Sequence, residues 1–251
     1  MKLRDKVVLI TGASEGIGRA LAIELAEEKS KLVLLARNEE RLSELTSELK
    51  SYTDVTYQKC DVRNPDNVKD SIEKAIKTFG RIDVAVLNAG IGYRMKVIDF
   101  DYERTKKIYD TNLYGALFFF EYLIPIFKEQ KSGMIVGVSS MADVRGFPGS
   151  AAYCSSKSAL TTFLESSRVE LSRYNIKVIT VRPGFVDTNM IKNNKFKMRF
   201  VLDVKNAANK ILRGIEREKK LIQFPFIYVL LTSLVKFLPV HIFDFLSAKH
   251  D

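Results

Sequence analysis

Val7-Val-Leu-Ile-Thr11-Gly12-Ala13-Ser14-Glu15-Gly16-Ile17-Gly18-Arg19-Ala20 is the stretch on which the fold turns. The unbroken aliphatic run Val7 to Ile10 is what a strand buried on both faces requires. Three glycines follow in the spacing G-x-x-x-G-x-G. Residues 17–29 then read as a helix that packs Ala20, Leu21, Ile23, Leu25 and Ala26 inward. Glycines at such a strand-to-helix turn let the main chain bend tightly and come close to a phosphate. The phosphate charge is met by the unpaired N–H groups of the helix start. On this stretch alone, a purely structural turn is the alternative.

Outward from it, the same alternation repeats. Strands are expected at 32–35, 55–57, 82–87, 134–138, 177–181 and 221–224. Helices are expected at 39–50, 65–79, 101–129 and 151–173, with Pro65 and Asp66 in the first turn of the second of these and a kink at Pro125. Strands and helices alternating at this spacing make right-handed crossovers, and so a parallel α/β sheet, doubly wound with helices on both faces. Repeats and low-complexity runs are absent. A chain of 251 residues, 46% hydrophobic and 28% charged, fits one globular domain and excludes a disordered or collagen-like chain.

Two cysteines, Cys60 and Cys154, and two histidines supply neither a disulfide framework nor a metal set, so no metal site is expected. The start, Met1 to Lys6, lacks a secretory pattern, and a reducing, cytoplasmic setting is the expectation. The net charge of +10 suits nucleic acid, an anionic lipid surface or an anionic cofactor. No docking helix or aromatic–basic platform supports nucleic acid, which is not expected as a partner.

The end of the second strand bears on which dinucleotide the turn would hold. A carboxylate there would favour NAD(H). Ala36-Arg37-Asn38 instead offers a guanidinium fork suited to a 2′-phosphate, favouring NADP(H). The alternative is a solvated Arg37 paired with Glu39 or Glu40. Asp61, with Val62 after it, follows the third strand and is placed to accept from an adenine amino group or, equally, to cap a turn.

Tyr153 and Lys157 stand at i and i+4 near the start of a helix, which puts phenol and ammonium on one face. A fixed cation there favours the phenolate, and a phenol so tuned can donate a proton to a nascent alkoxide. Ser140, after the fifth strand, can return its hydroxyl to the same pocket. Chance pairing on a helix, and a capping role for Ser139-Ser140, are the alternatives.

Together these residues resemble the short-chain dehydrogenase/reductase family in its compact form. The resemblance covers about residues 5–190. It rests on Thr11-Gly12-xxx-Gly16-x-Gly18, Asp61, Asn88-Ala89-Gly90, Asn112, Ser140, Tyr153, Lys157 and Pro183-Gly184-x-x-x-Thr188, in the family's order. It implies a seven-stranded parallel sheet of order 3-2-1-4-5-6-7 and catalysis by Asn112, Ser140, Tyr153 and Lys157. Tyr153 would be the general acid/base. Lys157 would lower its pKa and bind the nicotinamide ribose. Ser140 would hold the carbonyl, and Asn112 a relay water. Cofactor contacts are implied for Gly12, Ser14, Glu15, Gly16, Ile17, Gly18, Arg37, Asp61, Val62, Asn88, Ala89, Gly90, Tyr153, Lys157, Pro183, Gly184, Val186 and Thr188. Glu15 departs from the basic residue that some NADP-preferring members carry in the turn. A homodimer or homotetramer paired through the helices containing Asn112 and Tyr153 is also implied.

The expected activity is therefore NADP(H)-dependent interconversion of a carbonyl and an alcohol. A catalytically silent nucleotide-binding scaffold or redox sensor is the competing class. Residues 189–205 are expected to form a substrate lid, basic at Lys192, Lys195, Lys197 and Arg199. Met141, Phe147, Tyr93 and Met95 add apolar character, so an apolar or lipid-like substrate is expected. The apolar tail 226–251 is too interrupted to span a bilayer. Three roles stay open for it: packing on the sheet or a partner subunit, peripheral contact with a membrane, or covering the substrate.

Overall fold

Alternate residues of β1 (Val7–Thr11) point to opposite faces of a sheet, and both faces are covered. Val8 and Ile10 pack with Leu21 and Leu25 of α1 (Gly16–Glu27), Leu42 and Leu45 of α2 (Glu39–Leu49), and Ile211 of α8 (Val204–Glu216). Val7 and Leu9 join Val68 and Ile72 of α3 (Pro65–Phe79), Phe119 and Leu123 of α5 (Gly115–Glu129), and Leu160 and Leu164 of α6 (Ala151–Leu171). The structure is a computed structural model that describes residues 1–192 and 200–248.

The other strands are β2 (Lys31–Ala36), β3 (Val55–Lys59), β4 (Val84–Leu87), β5 (Gly133–Val138), β6 (Ile176–Pro183) and β7 (Leu221–Phe224). They pair in parallel in the order β3-β2-β1-β4-β5-β6-β7, the order expected. The order of strand succession reverses between β1 and β4, and the crevice beyond their C-terminal ends is where such sheets bind ligands. At the opposite end, the buried carboxylate of Asp83 accepts from the Val7 N–H at 2.9 Å and pairs with Arg81 at 2.8 Å, fastening β1 to β4.

Local chemistry sets the helix ends. Asn38 accepts from the Arg41 N–H to start α2. Asn64 accepts from the N–H groups of Asp66 and Asn67 ahead of α3, with Pro65 in its first turn. Gly80 ends α3 in the left-handed region.

Two regions differ from the sequence pattern. The helix expected over 101–129 is α4 (Tyr102–Tyr109), a π turn (Asp110–Tyr114) and α5, so its interruption falls at 110–114 while Pro125 sits inside α5. A π turn widens the helix by one residue and is frequent at functional sites. The tail folds as two helices, α9 (Phe226–Phe237) and α10 (Val240–Ala248), neither with a buried residue. The expected lid starts as the short helix α7 (Asn189–Lys192) and resumes at Phe200. Its residues 193–199, like tail residues 249–251, lie outside the described residues.

Candidate active site

The glycine-rich turn is built from main chain. Gly12 and Gly16 take φ of 65° and 57°, a region that side chains disfavour. A Cβ on Gly18 would stand 2.3 Å from the Gly12 carbonyl oxygen and 2.7 Å from Asn88 Nδ2. Asn88 explains the closeness: its amide donates to the Thr11 carbonyl at 3.1 Å and to that of Gly12 at 3.4 Å. The Thr11 hydroxyl oxygen accepts from the N–H groups of Asn88 and Ala89 at 2.9 and 3.0 Å. The end of β4 thus braces the turn leaving β1, with Ser14 and Ile17 half-buried beside it. This cradle has the shape and donor groups that a dinucleotide pyrophosphate needs.

On the β2 side, Arg37 is exposed and, among the described residues, pairs with neither Glu39 nor Glu40. Asp61 is already engaged. Its oxygens accept from Arg63 Nε at 2.9 and 3.1 Å and from Nη2 at 2.5 Å, and Oδ1 also takes the Arg63 N–H. This bidentate pair, with Arg37 nearby, holds the Asp61 carboxyl below its ordinary range. The turn-capping alternative is therefore realised, and an adenine amino group would have to share the carboxylate with Arg63. Val62 is buried, with its side chain and carbonyl oxygen against Gly115. Glu15 accepts from Arg41 and from Asn189. Arg63, in the turn before α3, and Arg41, on the charged helix α2, were both missed in the sequence, because an arginine in either setting looks like solvated surface.

Tyr153, Lys157, Ser140 and Asn112 come together. Lys157 Nζ lies 6.0 Å from the centre of the Tyr153 ring, and the Ser140 hydroxyl hydrogen-bonds the phenol. Gly92 lies against that ring, and a Cβ on Gly90 would stand 3.3 Å from both Lys157 Nζ and Asn112 Oδ1. The Asn112 amide grips the Ile91 main chain, accepting from its N–H at 2.8 Å and donating to its carbonyl at 2.9 Å. Asn112 sits in the π turn and is buried.

One electrostatic expectation is reversed. The Tyr153 phenol is pushed up from its ordinary value by burial, with the Ser140 hydrogen bond opposing. Lys157, also buried, is pushed down to about 8. The physical reason is burial: desolvation disfavours the phenolate and the ammonium alike, while Nζ donates to the Val138 carbonyl at 2.8 Å.

Behind Ser140 lies a buried pair that the sequence reading did not single out. Asp143, 2% exposed, takes Arg182 Nε at 3.0 Å through Oδ1 and the Thr161 hydroxyl at 2.6 Å through Oδ2. The Thr161 hydroxyl oxygen in turn lies within hydrogen-bond distance, 2.7 Å, of the Ser139 hydroxyl. These contacts anchor the 3₁₀ turn Met141–Val144, and with it Ser140, to α6 and β6.

The far wall comes from Pro183 onward. Gly184 lies against Tyr228 and Pro225, and the rings of Phe185 and Tyr228 meet edge to face at 5.4 Å. Val186 bridges to Leu202, and Thr188 packs on Gly16. The α9–α10 pair leans on the turn after Ser140. Arg145 donates to the Val235 and Leu238 carbonyls and stacks on Phe243, which also meets Phe147 at 6.1 Å. A groove of about 710 Å³ lies elsewhere, between α2, β3 and α3, and contains none of the expected site residues.

A family model described as short chain dehydrogenase matches residues 6–198. An uncharacterized oxidoreductase of Myxococcus xanthus is 35% identical over 241 residues, covering 95% of each chain. One from Staphylococcus epidermidis is 33% identical over 214 residues, covering 85% of this chain and 92% of its own. Among solved structures, an alcohol dehydrogenase from Thermococcus sibiricus complexed with 5-hydroxy-NADP is 27% identical with a TM-score of 0.80, over 89% of this chain and 97% of that one. A Burkholderia phymatum protein in complex with NAD shares the fold, with a TM-score of 0.86 at 22% identity over 93% and 94% of the two chains.

Proposed function

This chain belongs to the short-chain dehydrogenase family of oxidoreductases, and from that premise we propose that it interconverts a carbonyl and an alcohol with NADP(H). The observation that carries the proposal is the convergence of the Ser140 hydroxyl, the Tyr153 phenol and the Lys157 ammonium beside Gly90 and Gly92, at the mouth of the glycine-rich turn. A bound nicotinamide dinucleotide would supply the hydride to the carbonyl carbon. The chain supplies the rest. Ser140 donates a hydrogen bond to the carbonyl oxygen and orients it. Tyr153, kept protonated by its buried setting, delivers its hydroxyl proton to that oxygen as negative charge develops. Lys157 stabilises the phenolate left behind and binds the nicotinamide ribose. Asn112 fixes the Ile91 main chain on the other side of Lys157.

Gly12, Ser14, Glu15, Gly16, Ile17 and Gly18 would hold the pyrophosphate, with Asn88, Ala89 and Gly90 beside the adenosine ribose. Asp61 and Val62 would border the adenine. Pro183, Gly184, Val186 and Thr188 would hold the nicotinamide end. NADP(H) over NAD(H) rests on Arg37, an exposed cation whose neighbouring carboxylate, Asp61, is paired with Arg63. The aromatic wall of Phe147, Phe185, Tyr228 and Phe243 supports an apolar or lipid-like substrate.

The chain is proposed to act as one domain in the cytoplasm, as a homodimer or homotetramer. Tyr102, Tyr114, Phe163 and Val169, exposed on the helices that would pair, support the oligomer. Among the described residues no helix is long and apolar enough to cross a membrane. The inner face of the tail packs on the substrate side, and its outer face, with Phe226, Leu234, Phe237 and Phe245 exposed, is open to a second subunit or a peripheral lipid surface. Sedimentation with anionic vesicles, with and without residues 226–251, separates these two.

The deciding experiment is oxidation of NADPH and of NADH across a panel of aliphatic, steroid-like and sugar-derived carbonyls, with Tyr153→Phe as the blank. Turnover of apolar carbonyls with NADPH is expected. Nucleotide binding without turnover of any carbonyl would favour the silent scaffold.

A further inference from the structure

The groove between α2, β3 and α3 lies outside the cleft, and β3 runs along it. This strand ends the sheet: β2 pairs with one of its edges, and among the described residues no strand pairs with the other. Two flanking bonds fix which main-chain groups face outward. The Leu32 N–H donates to the Asp54 carbonyl, and the Cys60 N–H to that of Ala36. Successive residues of a parallel ladder alternate sides, so Thr56 and Gln58 bond to β2. Val55, Tyr57 and Lys59 therefore turn their N–H and C=O groups to the open edge. Among the described residues these groups have one partner, Lys74 Nζ, which donates to the Tyr57 carbonyl at 3.4 Å.

Each wall of the groove adds an unanswered polar atom. Val55 and Tyr57 pack into the core that holds Leu42, Leu45 and Leu49 of α2, which turns Gln58 toward α3. Gln58 Oε1 is buried there without a hydrogen-bond partner, and so is Oγ1 of Thr46 on the α2 wall, a residue 3% exposed. An unpaired buried atom destabilises the free chain, and an occupant that pairs it recovers the loss.

Charge selects the occupant. Lys50 at the C-terminal end of α2, Lys74 beside Tyr57, and Lys59 at the end of β3 rim the groove. All three are exposed, and among the described residues none is paired with a carboxylate. Glu39 and Asp70 are the two acidic residues beside them. A second copy docked edge to edge would set these lysines against their own images. An isolated extended segment carrying carboxylates meets no such repulsion.

We propose that the β3 edge is a docking site for an extended acidic segment of a partner protein, which joins the sheet as one further strand. Its main chain pairs with Val55, Tyr57 and Lys59, and its carboxylates meet Lys50 and Lys74. Its remaining polar groups answer Thr46 and Gln58. Lys74 leaves the Tyr57 carbonyl as the segment docks. That long bond from an exposed side chain is weak, and until then it shields the edge.

The test is fluorescence anisotropy of the full chain with labelled, end-blocked heptapeptides. One alternates Glu and Val, one alternates Lys and Val, and a third is the Glu–Val peptide with Pro at its centre. Only the first should bind saturably. Lys50→Glu/Lys74→Glu should weaken it about tenfold. Lys59→Pro, which removes an outward N–H and no bond to β2, should weaken it roughly threefold. Thr46→Val should do the same without lowering the thermal midpoint. The paired lysine substitutions alter exposed side chains alone, so that variant keeps the fold even if Lys59→Pro does not. Absence of binding, equal binding of the proline peptide, or unchanged affinity in the double lysine variant overturns the docking site. A wild-type dimer in sedimentation that Lys59→Pro abolishes overturns it too, by giving the edge to a second copy.

Discussion

The two ends of the cleft are held by different kinds of bond. At the nucleotide end, Thr11, Gly12 and Asn88 exchange hydrogen bonds largely with main chain, at the ends of two adjacent strands. At the substrate end, the Ser140 turn is fixed by side chains from remote positions. Asp143 pairs with Arg182 across 39 residues, and Arg145 reaches the Leu238 carbonyl across 93. The first arrangement is tolerant in outer sequence and strict in glycine. The second places a buried ion pair and an aromatic wall beside the proposed substrate end, held by contacts separate from those of the cradle.

The contrast can be broken or sharpened, starting with the largest expected effect. Tyr153→Phe removes the proton donor and nothing from the cradle. Turnover should fall by about 10²- to 10⁴-fold while NADPH affinity stays within about twofold, as read by steady-state kinetics beside fluorescence titration. Wild-type turnover in that variant would remove the catalytic assignment.

Asp143→Asn comes next, because it leaves the Arg182 guanidinium buried without its counter-charge. A loss of about 3 kcal/mol in denaturant unfolding is expected, with loosening centred on the Ser140 turn. An unchanged midpoint would mean that the pair does not hold the substrate end.

Lys157 gives a pH signature of similar size. Its folded pKa, about 8, lies below the ordinary lysine value, so between about 8 and 10.5 the unfolded chain binds more protons than the folded one. Stability should therefore rise with pH across that window, on the order of 3 kcal/mol, and the rise should vanish in Lys157→Met. A flat profile in the wild type would show that the ammonium is not desolvated.

The smallest effect is expected from Arg145→Ala, which unpins α9–α10. KM for an apolar carbonyl should increase roughly tenfold, with the KM for NADPH unaltered. A parallel change in both would mean that the two ends of the cleft are not separately supported.

The parallel alternation, helix faces and the glycine-rich turn were legible because each depends on periods and spacings within a few residues, whereas the strand order came from the family resemblance. Val7–Ile10 is read from its unbroken aliphatic run, the inward face of α1 from its helical period, and the start of α3 from Pro65 and Asp66. Tyr153 and Lys157 were legible for the same reason, since four residues on a helix fix their shared face. The π turn at 110–114 was not legible: Pro125 carries a stronger local signal than Asn112, whose inward aim depends on the Ile91 main chain it grips.

Sequence by itself determined the doubly wound sheet and the residues gathered at its C-terminal edge, because hydrophobic period and glycine geometry act locally. Tertiary structure alone decided their electrostatics. The direction in which Tyr153 and Lys157 titrate depends on which carbonyl the ammonium meets and on how much water the neighbouring elements exclude. It also decided the partners of Glu15, Asp61 and Asp143, since a charge finds its counter-charge only after the chain has brought distant segments together.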